Sequence, residues 1–240
     1  MAEYSKRNMS IGMLLAATLA ATVAGSEEKL PTVLEGTFLE APLYSLHIGN
    51  TIIFNLAGGL FISIVFWLLM VEIPERKTRS LVREQLMRAY EDIRIKLLFI
   101  LLDAAGEYSF GDFKAAKNPE GFQGHFETPV GKTQTRWDLV YTQILGGEDI
   151  NRRLHGQFEA LANAITHALA RIPPRNAEAH DMLHDLARLL MDLRVMCTPG
   201  RRLHESDAKH VSRELWTMFI TGHSPSDSDP NAIPIWISKL

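Results

Sequence analysis

The hydrophobic pattern divides this chain at Glu72. Upstream, apolar residues run in long uncharged stretches. Downstream, they recur in steps of three and four between charges. No charged side chain occurs from Ile48 to Val71. At ~1.5 Å per residue a helix of that stretch reaches ~36 Å, enough for a hydrocarbon core of ~30 Å. Residues 48–71 therefore read as a transmembrane helix, and the charges that begin at Glu72 mark its end.

A second apolar run, Met9 to Gly25, follows Lys6 and Arg7. A basic start, a short apolar stretch and small residues at Thr22 and Ala24 fit a secretory signal. The length also fits a short span. Gly12, Ala16, Ala20 and Ala24 recur every four residues, and Asn55, Gly59 and Ser63 offer a matching stripe on the next helix. Small residues at that spacing let membrane helices approach closely. A two-helix hairpin is the first expectation and a cleaved signal the second. Asn55 needs a partner inside lipid: a hydrogen bond within the hairpin is the ordinary reading, a pore lining or self-association the functional one.

Residues 26–47 form an acidic loop, with Glu27, Glu28, Glu35 and Glu40 against Lys29. Arg76, Lys77, Arg79, Arg83 and Arg88 follow the span. Basic residues mark the cytoplasmic side. The loop is expected outside a bacterial inner membrane, and everything after the span in the cytoplasm. The same five cations are candidates for lipid headgroups.

Residues 72–222 read as a helical domain. Pro74 suits a first helical turn, and Val82, Leu86, Tyr90, Ile93, Leu97 and Leu101 keep a helical period to Leu102. Leu97–Leu102 is apolar all round, to be buried or laid on the bilayer. Residues 104–132 break the pattern with glycines and prolines and read as an irregular loop holding a short helix over 109–117. Four further helices follow, over about 135–146, 148–172, 176–197 and 205–222. Thr135 with Asp138 marks a capping box, and Pro173-Pro174 and Pro199-Gly200 mark breaks. Short connections between amphipathic helices imply an antiparallel bundle, so the fold class is an all-α membrane protein. No strand alternation is visible. Residues 223–240 form a flexible tail whose apolar end, containing Trp236, is expected to dock first on this bundle and second on a partner.

Composition narrows the chemistry. A net charge of −3 supplies no field for nucleic acid. The single cysteine, Cys197, allows no internal disulfide and sits near a helix C-terminus, where the dipole disfavours a thiolate. His180 and His184 share a helix side at a zinc-compatible spacing, but the Glu of the zinc-protease motif is missing between them. They are weak metal candidates. No phosphate-cradling loop or nucleophile elbow is present, and no cofactor is implied. Phe110, Phe113, Phe122, Phe126 and Trp236 are candidate partner-binding aromatics, on a binding loop or lid in the case of the four phenylalanines; rings that pin that segment to the bundle are the ordinary reading.

The expected function is a membrane-anchored interaction or regulatory protein, scaffold- or sensor-like, whose partners are membrane lipid and either a second copy or another protein. A small oligomeric pore or transporter subunit is the alternative from a second class, and an enzyme with an unrecognised site a third.

Overall fold

The computed structural model describes residues 2–25, 51–106, 109–174, 176–222 and 231–240. The acidic loop 26–47, the start of the span at 48–50, and 223–230 of the tail lie outside the described residues, as do the side chains of Ala24 and Phe110. The protein is mostly helical and all-α. It divides into an N-terminal unit, Met1–Lys77, and a C-terminal unit, Thr78–Leu240.

The N-terminal unit holds α1 (Ala2–Gly25) and α2 (Thr51–Trp67), followed by a π-helical turn, Leu68–Glu72. Helices α1 and α2 pack against one another. Their seam corrects the expected one. On α1 it follows Ile11, Leu15, Thr18 and Thr22, a helical spacing; on α2 it follows Ala57, Gly58, Phe61 and Ile64. Gly12 and Ala16 are exposed and Ala20 is half-buried, and Asn55, Gly59 and Ser63 are all exposed. The seam instead falls on larger side chains, and Ile11, Leu15 and Phe61 make van der Waals contact across the pair that glycine and alanine are too small to supply. Gly58 supplies the close approach, since a Cβ there would meet Thr22 Cγ2 at 3.9 Å. Thr18 Oγ1 donates to the Leu14 and Leu15 carbonyls and Thr22 Oγ1 to Thr18 O, so both hydroxyls are satisfied within α1.

Helix α3 (Ile73–Ala104) begins in the first unit and lies mostly in the second. Its expected inward positions, Val82 to Leu101, are buried, and so is the run Leu97–Leu102 apart from the half-buried Phe99. Residues 104–132 differ from the expected loop. The short helix expected over 109–117 is present as α4 (Phe110–Ala116); beyond it lie α5 (Pro119–Phe126) and the first strand of a small antiparallel hairpin, β1 (Pro129–Val130) with β2 (Gln134–Thr135). Ser109 Oγ accepts from Asp112 N to start α4, and Pro119 takes the first turn of α5. Gly121 and Gly124 argue locally against α5. Burial of Phe122 and Phe126, four residues apart, outweighs them.

The remaining helices match their expected places: α6 (Arg136–Gly146), α7 (Glu148–Arg171), α8 (Ala177–Met196) and α9 (Glu205–Ile220). Thr135 and Asp138 form the capping box, and Asn176 Oδ1 accepts from Ala179 N at 3.0 Å. Between α6 and α7, Asn151 Nδ2 donates to Ile144 O at 2.9 Å and holds the sharp turn closed. The tail's apolar end takes the first of its two expected places. It is α10 (Ala232–Lys239), which packs on α8 and buries Ile233, Trp236 and Ile237.

The core of this unit centres on Phe122. Its ring stacks on Phe219 at 4.6 Å, and Phe126, Trp137 and Trp216 close around it at 4.6, 5.9 and 5.5 Å. Phe122→Ala should cost ~3–5 kcal/mol, read as a lowered urea midpoint at unchanged slope; a loss below ~1 kcal/mol would remove Phe122 from that role. Gly147→Ala should cost ~1–3 kcal/mol, because a Cβ there would sit 2.5 Å from Gln143 O. Equal stability of the alanine variant would show that the turn relaxes freely.

Candidate functional site

The largest chemical feature of the N-terminal unit is uncovered apolar surface. Ile52 and Leu56 on α2 are 76% and 75% exposed, Ile62 is 67% exposed, and Phe66 and Met70 lie equally open. Met9, Met13, Leu14 and Leu19 on α1 are exposed as well. Soluble monomers rarely show apolar patches beyond a few hundred Å². Among the described residues one helix is long and apolar enough to cross a membrane, and Met9–Val23 is a shorter apolar helix.

The change from apolar to charged sequence falls on the π-helical turn. Ile73 N–H donates to Leu68 O, five residues back, and such single widened turns recur at functional positions. Glu72 is buried there, and its Oε1 accepts from Arg76 Nε at 2.7 Å. The first acidic group after the apolar run is thereby neutralised by the first basic one.

The five expected headgroup cations are not equivalent. Lys77 is exposed, Arg88 is exposed beside Glu84, and Arg76 is half-buried on Glu72. Arg79, only 2% exposed, is turned inward. Arg83 is half-buried and donates from Nη1 to Ser238 O at 3.3 Å, tying α3 to the end of α10. Residues 79, 82, 83 and 86 share one side of a helix, so a basic run on α3 sends some cations inward with the valine and leucine. Lys77 and Arg88 are the exposed ones of the five, and Arg88 is already paired with Glu84.

The candidate partner-binding aromatics follow their ordinary reading, rings pinned to the helices around them. Phe122 and Phe126 are fully buried, and Trp236 belongs to the core beneath α10. Phe113 is half-buried and stacks on Phe99 at 4.5 Å. These rings hold the fold together because Phe122 and Phe126 lie on one face of α5, and Ile233, Trp236 and Ile237 on one face of α10. Trp137 and Trp216, 4.9 Å apart and half-buried, form the edge of the aromatic core that reaches the surface. Trp216 stands out in the sequence only as one more bulky position near the end of a helix.

His180 is half-buried with Nδ1 3.8 Å from Asp181 Oδ1, and His184 is exposed. Among the described residues no group of three or more His, Cys, Asp or Glu is placed to hold a metal. A polar cluster that sequence spacing does not reveal joins α7 to α8. His155 Nδ1 donates to Arg194 O at 2.9 Å, and Arg194 Nη2 meets Glu159 Oε1 at 3.0 Å. Nearly forty positions separate His155 from Arg194, so only the fold brings them together.

Cys197 is fully buried, and burial pushes its thiol from 9.0 up to about 12. Above pH ~9 the unfolded thiol ionises while the folded one keeps its proton, so stability falls with rising pH by up to ~1.4 kcal/mol per unit. Urea midpoints should show this alkaline descent, and Cys197→Ala should flatten it. Maleimide should label Cys197 ~100-fold or more slower in the folded protein than in urea; equal rates would place the thiol at the surface. No family model, curated protein or solved structure matches this chain.

Proposed function

We propose that this chain is a membrane-anchored helical interaction or regulatory protein of bacterial type. Its apolar hairpin sits in the inner membrane, and its C-terminal unit, an antiparallel helical bundle, is cytoplasmic. The observation that carries the reading is the open apolar surface of α2, where Ile52, Leu56 and Ile62 are each more than two-thirds exposed. In water that surface costs ~25 cal/mol per Å²; hydrocarbon removes the cost. The cluster Arg76–Arg88 supports the orientation through the preference of basic flanks for the cytoplasm. The proposed partners are membrane lipid and either a second copy or another protein.

Asn55 favours a second reading, a subunit of a small oligomeric pore. Its amide is exposed on an apolar helix, on the same side as Gly59 and Ser63. Ser63 Oγ donates to Gly59 O at 2.8 Å, which leaves Asn55 as the polar group that would line a path. Dye leak from proteoliposomes that Asn55→Leu abolishes would favour the pore. Tight vesicles at high protein density would exclude it.

The anchor is tested by fractionation. The protein should stay with membranes in alkaline carbonate, and a C-terminal tag should resist protease added outside spheroplasts yet be cleaved after lysis. Release by carbonate would remove the anchor, and digestion from outside would reverse the orientation. Purified in mild detergent, the chain should appear as an oligomer or retain a stoichiometric partner; a bare monomer would remove the interaction role and leave the anchor standing.

A further inference from the structure

Within the C-terminal unit, one side of α3 carries Arg83, Met87, Tyr90 and Arg94 at steps of four, three and four, which a helix places in one line. No acidic residue occupies that line. Arg83 is engaged with the Ser238 carbonyl. Tyr90 is 2% exposed, and among the described residues its hydroxyl has no hydrogen-bond partner. A buried O–H donor without an acceptor is uncommon, because desolvation is then uncompensated.

Arg94 is the second unsatisfied group. It is half-buried, its Nε is inaccessible and unbonded, and its guanidinium lies over the Phe219 ring with Cζ 5.5 Å from the centroid. That contact engages the ring face and uses none of the five N–H donors. Other arginines of this unit, Arg153 and Arg194 among them, reach carboxylates. Glu91, three residues before Arg94, is exposed, and no ion pair joins the two. Burial raises the Tyr90 phenol above its usual 10.0 while the Arg94 charge acts in the opposite direction, so the cation is close enough to be felt.

We propose that Arg94 and Tyr90 form a binding site for one phosphate-class oxyanion. The guanidinium fork takes two of its oxygens, the phenol O–H donates to the same group, and the Phe219 ring supports the guanidinium from its flat side. The anion enters from the half-open side of Arg94. A guanidinium fork matches phosphate in both charge and spacing. The same chemistry serves a free phosphate and a lipid headgroup. The proposal does not depend on the membrane anchor.

The test uses the full chain in nonionic detergent. It compares inorganic phosphate and phosphatidylglycerol mixed micelles with sodium chloride at matched ionic strength, read by equilibrium dialysis and by Tm. Phosphate about tenfold above its Kd should raise Tm by ~3–6 °C. Arg94→Gln should weaken binding at least ~10-fold, with Arg94→Lys falling between it and the parent. Tyr90→Phe, which removes the orphaned hydroxyl, should raise the Tm of the anion-free protein and weaken phosphate binding. Binding of phosphate assigns the site to a soluble ligand, and binding of phosphatidylglycerol alone assigns it to a headgroup. The proposal is overturned if neither binds beyond the chloride baseline, if Arg94→Gln binds as tightly as the parent, or if Tyr90→Phe changes neither quantity. Dialysis of the unaltered chain decides the first point whether or not any variant folds.

Discussion

A helix satisfies its own backbone, so the surface of its side chains decides what medium it can occupy. Leu97–Leu102 and α2 are both apolar on every side, and they resolve that demand differently. Leu97–Leu102 lies within the C-terminal unit and is almost wholly buried by protein. Along α2, neither α1 nor the rest of the N-terminal unit covers more than one strip, and Ile52, Leu56, Ile62 and Phe66 remain open. The run 97–102 is six residues long and fits inside a domain core. The α2 run is several times longer, and one neighbouring helix covers only a fraction of its circumference. The membrane proposal is a consequence of that geometry.

Within the C-terminal unit the constraint reverses, since every apolar strip must find protein. Phe122 shows how this is met. It lies on a two-turn helix with two glycines, which would not persist alone. It is held because Phe219, Trp137 and Trp216 from α9 and α6 enclose its ring. Helix α10 is similar: eight residues too short to be stable in water, kept by burying Ile233, Trp236 and Ile237. The short elements are thus products of the core that the long helices create.

That dependence explains what the sequence discloses. The long helices α3, α7, α8 and α9 carry sustained periodic apolar positions, with local caps at Asn176 and at Thr135 for α6, so their places are legible residue by residue. Helix α5 is illegible because Gly121 and Gly124 are local signals, while the force that opposes them comes from residues nearly a hundred positions away. Trp236 leaves two places open for the same reason: an apolar end after a polar stretch looks alike whether it docks at home or on a partner. The α1–α2 seam shows a different limit. Two candidate stripes lie about 100° apart on each helix, and small-residue spacing selects one while contact between larger side chains selects the other. The polar cluster of His155, Glu159 and Arg194 leaves no trace in spacing.

The arginines of α3 meet the same constraint. A basic stretch after an apolar run is ordinarily a flank, and exposed Lys77 and Arg88 fit that role. But a helix that must also pack its valines and leucines cannot keep every cation outside. Arg79, Arg83 and Arg94 share its inward half, where an unpaired charge is costly. Arg83 finds a backbone carbonyl at the end of α10, and in doing so connects a terminal helix to the longest helix in the chain. Among the described residues Arg94 finds only the face of Phe219, a weaker compensation than an anion gives. A leucine at 94 would pack against that ring without the desolvation penalty. A guanidinium there makes sense if its donors meet an oxyanion, and Tyr90, one turn back with its own hydroxyl unspent, faces the same want.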